Sequence, residues 1–229
     1  MTLLTPLTIA FAPWLPELGL TRWALHGAWG LVLGMTILGL GTRFHLRWRW
    51  LLALGVVAWS LWLGPVSPAY WLGLMFQSPS LMTVLLGMVW VWRSPSVSVF
   101  ADHGSPAKVW PWMVLAGAAV LLGWVLLLDM LAWWPVSVYA WGYGQVALTM
   151  ACGLTVLLWL TSGASRSGHH AALCLAAVLT VFVVTRLPSG NLWDALLDPW
   201  LWMGLQVAGL RAGWRSRSSG RRWSTTTRA

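Results

Sequence analysis

The chain has 229 residues, of which 59% are hydrophobic and only 8% charged, with a mean hydropathy of +0.71. An ordinary globular protein carries roughly 25% charged residues, so this chain cannot cover a water-facing surface; a soluble enzyme, a disordered chain and a disulfide scaffold are excluded. The formal net charge of +9 would point to nucleic acid in a soluble protein, but here the basic residues sit between and after apolar runs, as topology signals do, and no nucleic-acid partner is expected.

A membrane-spanning helix needs about 20 mostly apolar residues. Residues 1–20 are apolar but lack a basic start, and Pro6, Pro13, Pro16 and Glu17 interrupt them. They read as an interfacial segment, or as an eighth span if they insert. Seven spans follow, near 23–41, 48–64, 70–92, 110–130, 139–160, 171–187 and 191–214. None alternates as a barrel strand does, so the fold class is an all-α, polytopic transmembrane bundle forming one domain over residues 1–214. Residues 94–106 form the longest connection. Residues 215–229 form a basic tail in which Trp223 is the only large apolar group, and disorder is expected there. Internal repeats are absent.

The basic residues orient the spans. Alternation puts Arg43, Arg47, Arg49, Arg93, Lys108, Arg166 and six arginines from Arg211 onward on one side, leaving Arg22 and Arg186 opposite. The positive-inside rule makes the first side cytoplasmic. The N-terminus is therefore expected outside and the C-terminus inside, with anionic lipid headgroups as natural partners of the tail. Trp48, Trp50, Trp90 and Trp92 gather at the inner ends and Trp62, Trp71, Trp133 and Trp193 at the outer ends, as interfacial anchors do. Lys108 is the only lysine, Asn191 the only asparagine, and isoleucine occurs only at positions 9 and 37, all residue types with AT-rich codons. That scarcity points to a GC-rich bacterial genome and, with the topology, to the inner membrane.

Catalytic signatures are lacking. Cys152 and Cys174 lie in apolar runs without CxxC spacing and read as small buried hydrophobes. His26 is the only histidine within a span; the His169–His170 pair lacks a third ligand nearby, so no metal site and no cofactor are expected. What remains is a set of polar residues in the apolar runs. Arg22, His26, Gln77, Asp129, Gln145, Arg186 and Asp198 all fall in the outer half of the membrane, where ionisable groups normally face the bundle interior and pair. Two readings stay open. They form an outward-facing polar cup, with Arg22 and Arg186 partnering Asp129 and Asp198, or the terminal ones snorkel to headgroups. Asp198-Pro199 is also a helix start, Asp as cap and Pro at the first helical position, which would begin the last span at Pro199.

The third span holds Ser78, Pro79 and Ser80 after Gln77. Pro79 removes a helical hydrogen bond and clashes with the Met75 carbonyl. Such a position is either an ordinary kink, locally satisfied, or an interrupted helix of the kind that marks transporter sites. The leading functional expectation is a non-catalytic accessory or assembly subunit that meets other membrane-protein subunits through lateral helix contacts, to which Gly30–Gly34 and Gly117/Gly123 would give close approach. The alternative is a transporter or channel for a small solute, using the cup and the Pro79 break.

Overall fold

The computed structural model describes residues 15–41, 44–92, 106–133, 135–163 and 166–226. Every regular element among them is helical: α1 (Leu18–Leu40), α2 (Leu46–Ser60), α3 (Pro68–Phe76), α4 (Leu81–Trp92), α5 (Pro106–Met130), α6 (Val138–Trp141), α7 (Gln145–Thr161), α8 (Arg166–Thr185), α9 (Leu192–Leu196) and α10 (Pro199–Thr226). Three stretches are long and apolar enough to cross a membrane: Leu18–Leu40, Trp112–Met130 and Gly168–Thr185. Large apolar side chains lie open on the outside, among them Trp92, Met130, Leu18 and Leu40, as lipid-facing positions are.

Three of the seven expected spans are each divided in two. The third is α3 plus α4, the fifth α6 plus α7, and the last α9 plus α10. Each interruption follows a local signal stronger than apolar character. Gln77 takes φ 61 and ψ −151, and Ser78 after it precedes Pro79, which disfavours the α region at that residue. Gly142 and Gly144 separate α6 from α7, while Leu197 is extended (φ −144) before Asp198-Pro199. The second span is the 15-residue α2, about 22 Å long at 1.5 Å per residue.

Two further expectations change. Helix α10 runs on to Thr226, through the tail expected to be disordered; arginine is a good helix former, and a helix already nucleated by tertiary packing extends at little cost. Lys108 lies in the first turn of α5, which starts at Pro106, rather than in the connection before it. The expected interfacial segment lies outside the described residues as far as residue 14, and so does most of the 94–106 connection.

Helix α1 packs along α2 and touches α3 and α4; α8 sits centrally against α4, α5, α7 and α9; α10 lies on α5. The core is in this second group, where Phe182, Val178 and Leu175 of α8 meet Leu158, Ala151 and Ala147 of α7 and Leu192 of α9. Small residues permit these approaches. A Cβ at Gly34 would lie 2.9 Å from Val57 Cγ2 and one at Gly30 3.1 Å from Ser60 Cβ, so this small-xxx-small pair is used within the chain, against α2. Gly123 receives the Trp202 ring from α10, whose Nε1 donates to Val120 O at 3.1 Å. Gly117 has no neighbour within 4 Å.

Candidate functional site

Polar side chains gather in three clusters, each where a helix starts or stops. The first ties α1 to the α2–α3 turn. His26 is buried, and its Nδ1 lies 2.7 Å from Ser60 O. A carbonyl only accepts, so Nδ1 carries the proton. Ser67 Oγ donates to the same carbonyl at 2.9 Å and receives the Ala69 N–H at 3.2 Å; Ser67-Pro68 is a helix start of the same kind as Asp198-Pro199. Trp59 and Trp71 indoles hold the turn by donating to Val66 O and Pro65 O.

The second cluster is built around the break in the third span. Trp29 Nε1 donates to Gln77 O at 2.7 Å, taking up a carbonyl released by the break. Asp198, buried, then serves two helices at once. One oxygen accepts the Ser80 N–H at 2.8 Å and the Thr83 hydroxyl at 2.5 Å at the start of α4; the other accepts the Leu201 N–H at 2.7 Å at the start of α10. The Ser80 hydroxyl adds a cap of its own, accepting the Thr83 N–H at 3.1 Å. A carboxylate between two helix N-termini meets the positive ends of both dipoles.

The third cluster clamps α6 onto the 186–198 segment. Asp129 accepts the Tyr139 N–H at 2.7 Å and the Ser137 hydroxyl at 3.2 Å. Asp194 accepts the Tyr139 hydroxyl at 2.8 Å and that of Ser189. Asn191, fully buried, donates from Nδ2 to Tyr139 O at 3.0 Å and caps α9 by accepting the Trp193 N–H. The Leu192 N–H bonds Gly142 O at 2.9 Å and the Trp193 indole bonds Val138 O at 3.0 Å. Gly142 must be glycine here: a Cβ would lie 1.8 Å from Asn191 Oδ1.

The seven residues expected to line one cup are therefore distributed. His26 belongs to the first cluster; Asp198, with Ser80 and the backbone of Gln77, to the second; Asp129 to the third. Arg22 is exposed and makes no ion pair among the described residues; Asp129 takes amide and hydroxyl donors from the α5–α6 turn, and Asp198 takes those of α4 and α10. Arg186 has φ 57, and its guanidinium carbon stands 5.2 Å from the centroid of the Phe182 ring. The side chains of Gln77 and Gln145 are exposed, Gln145 being the first residue of α7. Ser78 is half-buried and Pro79 buried in the break. Sequence reasoning missed Ser60, Ser67, Thr83, Tyr139 and Asn191. Ser67-Pro68 carried a legible signal; the others matter through partners 34 to 115 residues away along the chain.

Chemically these clusters are brackets. The His26 Nδ1 proton and the Ser67 hydroxyl proton both go to Ser60 O, so although Ser67 Oγ stands 3.4 Å from Nδ1, this hydroxyl is not poised on an imidazole base as nucleophilic catalysis needs. No three His, Cys, Asp or Glu side chains come together among the described residues. A concavity of about 410 Å³ has a predominantly apolar wall, with Met82 and Leu86 of α4, Leu115 and Leu122 of α5, Ala151 of α7 and Leu201 of α10 in it. No protein-family profile matches the chain, and no curated protein or solved structure is significantly similar to it.

Proposed function

We propose that this chain is a multi-pass protein of a bacterial inner membrane, its seven apolar segments placed with the N-terminus outside and the C-terminus in the cytoplasm, and that it serves as a non-catalytic accessory or assembly subunit through lateral helix contacts. The observation that carries this reading is how the carboxylates at the helix ends are used. Asp198 accepts three hydrogen bonds and Asp129 and Asp194 two each, all from the chain's own turns and helix starts, which leaves little polar capacity to recognise a solute. The surface on offer is instead apolar. None of the Trp112–Met130 window is buried inside the protein, and the 410 Å³ groove opens beside that helix. Packing of apolar and small side chains is what drives helix association in lipid.

Purification in mild detergent tests the reading. A stoichiometric membrane-protein partner is the expected result; a stable lone monomer, under conditions that preserve other membrane complexes of the same cell, counts against it. The transport alternative is favoured by one specific observation: the third segment is a true interruption, with Gln77 exposed beside it. Transporters place such breaks at their binding sites. Gln77→Ala abolishes uptake if that alternative holds and leaves the cell unchanged if it does not.

A further inference from the structure

At the opposite end of the bundle from the three clusters, a cavity of about 220 Å³ opens between the end of α1, the start of α2 and the end of α4, lined by Leu38, Leu46, Arg49, Trp50, Trp90 and Trp92 among others. Among the described residues Arg49 is the only charged one in its wall, and none there is acidic. The Arg49 Nε–H is buried and has no acceptor among the described residues. A buried N–H on a permanently charged guanidinium is costly to leave unmade, and an anionic oxygen from outside the described residues is the group that would answer this cation.

The surroundings select which anion. The Arg49 stem crosses the end of α1, where a Cβ at Gly41 would stand 3.4 Å from its Cγ and 3.8 Å from its Nε. The carbonyl end of α1 attracts a cation and fixes the guanidinium in place without supplying Nε with an acceptor. Helix α2 begins at the same spot with no side-chain cap from His45 and no acidic residue in its first turn, so its free first-turn N–H groups add positive potential. The planar guanidinium fork suits phosphate geometry. Trp50 and Trp92 are exposed and Trp90 half-buried, the arrangement tryptophan adopts at the headgroup level of a bilayer.

We infer that this cavity binds a phosphate group, held by Arg49 and supplied by the headgroup of an anionic phospholipid, with Trp50, Trp90 and Trp92 against the glycerol and the start of the acyl chains. The lipid source follows from position: the cavity lies at the end of a helix long and apolar enough to span the membrane, and its walls are apolar apart from Arg49. The inference depends on membrane insertion and not on the accessory reading; it stands whether or not a partner subunit is found.

The test uses the full-length protein in detergent, titrated with phosphatidylglycerol, with phosphatidylcholine, or with inorganic phosphate. Bound lipid is counted by native mass spectrometry and the unfolding midpoint is followed. Wild type is expected to retain one phosphatidylglycerol and to gain thermal stability saturably. Arg49→Gln is expected to weaken that binding roughly tenfold or more, the range for a hydrogen bond to a charged group. Arg49→Lys, which keeps the charge but not the fork, loses a smaller factor and guards against a folding defect in the first variant. Arg47→Gln, at an exposed position in the same turn, changes binding little. Stabilisation by phosphatidylglycerol and not by free phosphate assigns the site to lipid; stabilisation by phosphate as well keeps the phosphate site and extends it to soluble anions. Undiminished lipid binding in both Arg49 variants, or binding of neither probe by wild type, overturns the inference.

Discussion

Replacing Asp198 by alanine removes one side chain and uncaps two helices. The Ser80 N–H at the start of α4 and the Leu201 N–H at the start of α10 both lose their acceptor, as does the Thr83 hydroxyl. Loss of a single N-cap costs about 1 kcal/mol, within a range of about 0.5–2. Polar contacts between membrane helices average about 0.6 kcal/mol, because the dissociated helices find other partners. Backbone N–H groups at buried helix starts have no such substitute, since the Ser80 hydroxyl already serves the Thr83 N–H. Two caps and one side-chain contact therefore total about 3 kcal/mol for Asp198→Ala. Asp198→Asn keeps one acceptor oxygen but turns the other into a donor facing donors, so only one helix start stays capped; about half the loss is expected. Reversible unfolding in mixed micelles with increasing sodium dodecyl sulfate reads both values. A loss under about 1 kcal/mol for Asp198→Ala would refute the double-cap reasoning, and so would an asparagine variant as stable as wild type.

Three other substitutions or fusions probe separate features. Gly142→Ala drives a methyl group into Asn191 Oδ1; overpacking of this sort costs about 1–3 kcal/mol, and the same unfolding assay should show it together with faster proteolysis at α6. Gln77→Gly relieves a backbone conformation (φ 61, ψ −151) that belongs to glycine and costs other residues about 1–3 kcal/mol; the variant should be at least as stable as wild type, and Gln77→Val clearly less so. A reporter active only in the cytoplasm should work when fused after residue 229, whereas alkaline phosphatase fused there should not; the reverse pair of results contradicts the proposed orientation.

How much of this was legible beforehand depends on the range of the interaction concerned. Composition points to lipid, because a chain with 8% charge cannot cover a water-facing surface, and the lack of strand alternation points to helices rather than a closed barrel as the way to satisfy its backbone there. Helix starts at Ser67-Pro68 and Asp198-Pro199 are local chemistry, and α3 and α10 begin there. The division of the third segment was only partly legible. Pro79 announced a disturbance, but whether the chain kinks or leaves the helix depended on Asp198, 118 residues away, capping the restarted α4. The grouping of polar residues was not legible at all. Similar depth suggested one cup, yet depth in the membrane says nothing of azimuth around the bundle, and His26, Asp198 and Asp129 ended beside different turns.

Local sequence thus determined the helical and apolar character of the chain and the helix starts at Ser67-Pro68 and Asp198-Pro199, since each depends on a few neighbouring residues and the solvent they meet. Tertiary structure alone decided which donors the carboxylates of Asp129, Asp194 and Asp198 receive, that Gly30 and Gly34 face α2 rather than a partner, and that Arg49 lies over the end of α1 with its Nε–H unanswered among the described residues. The reason is physical. A desolvated polar group accepts whichever complementary group packing brings within about 3 Å, and that is settled by how whole helices fit together.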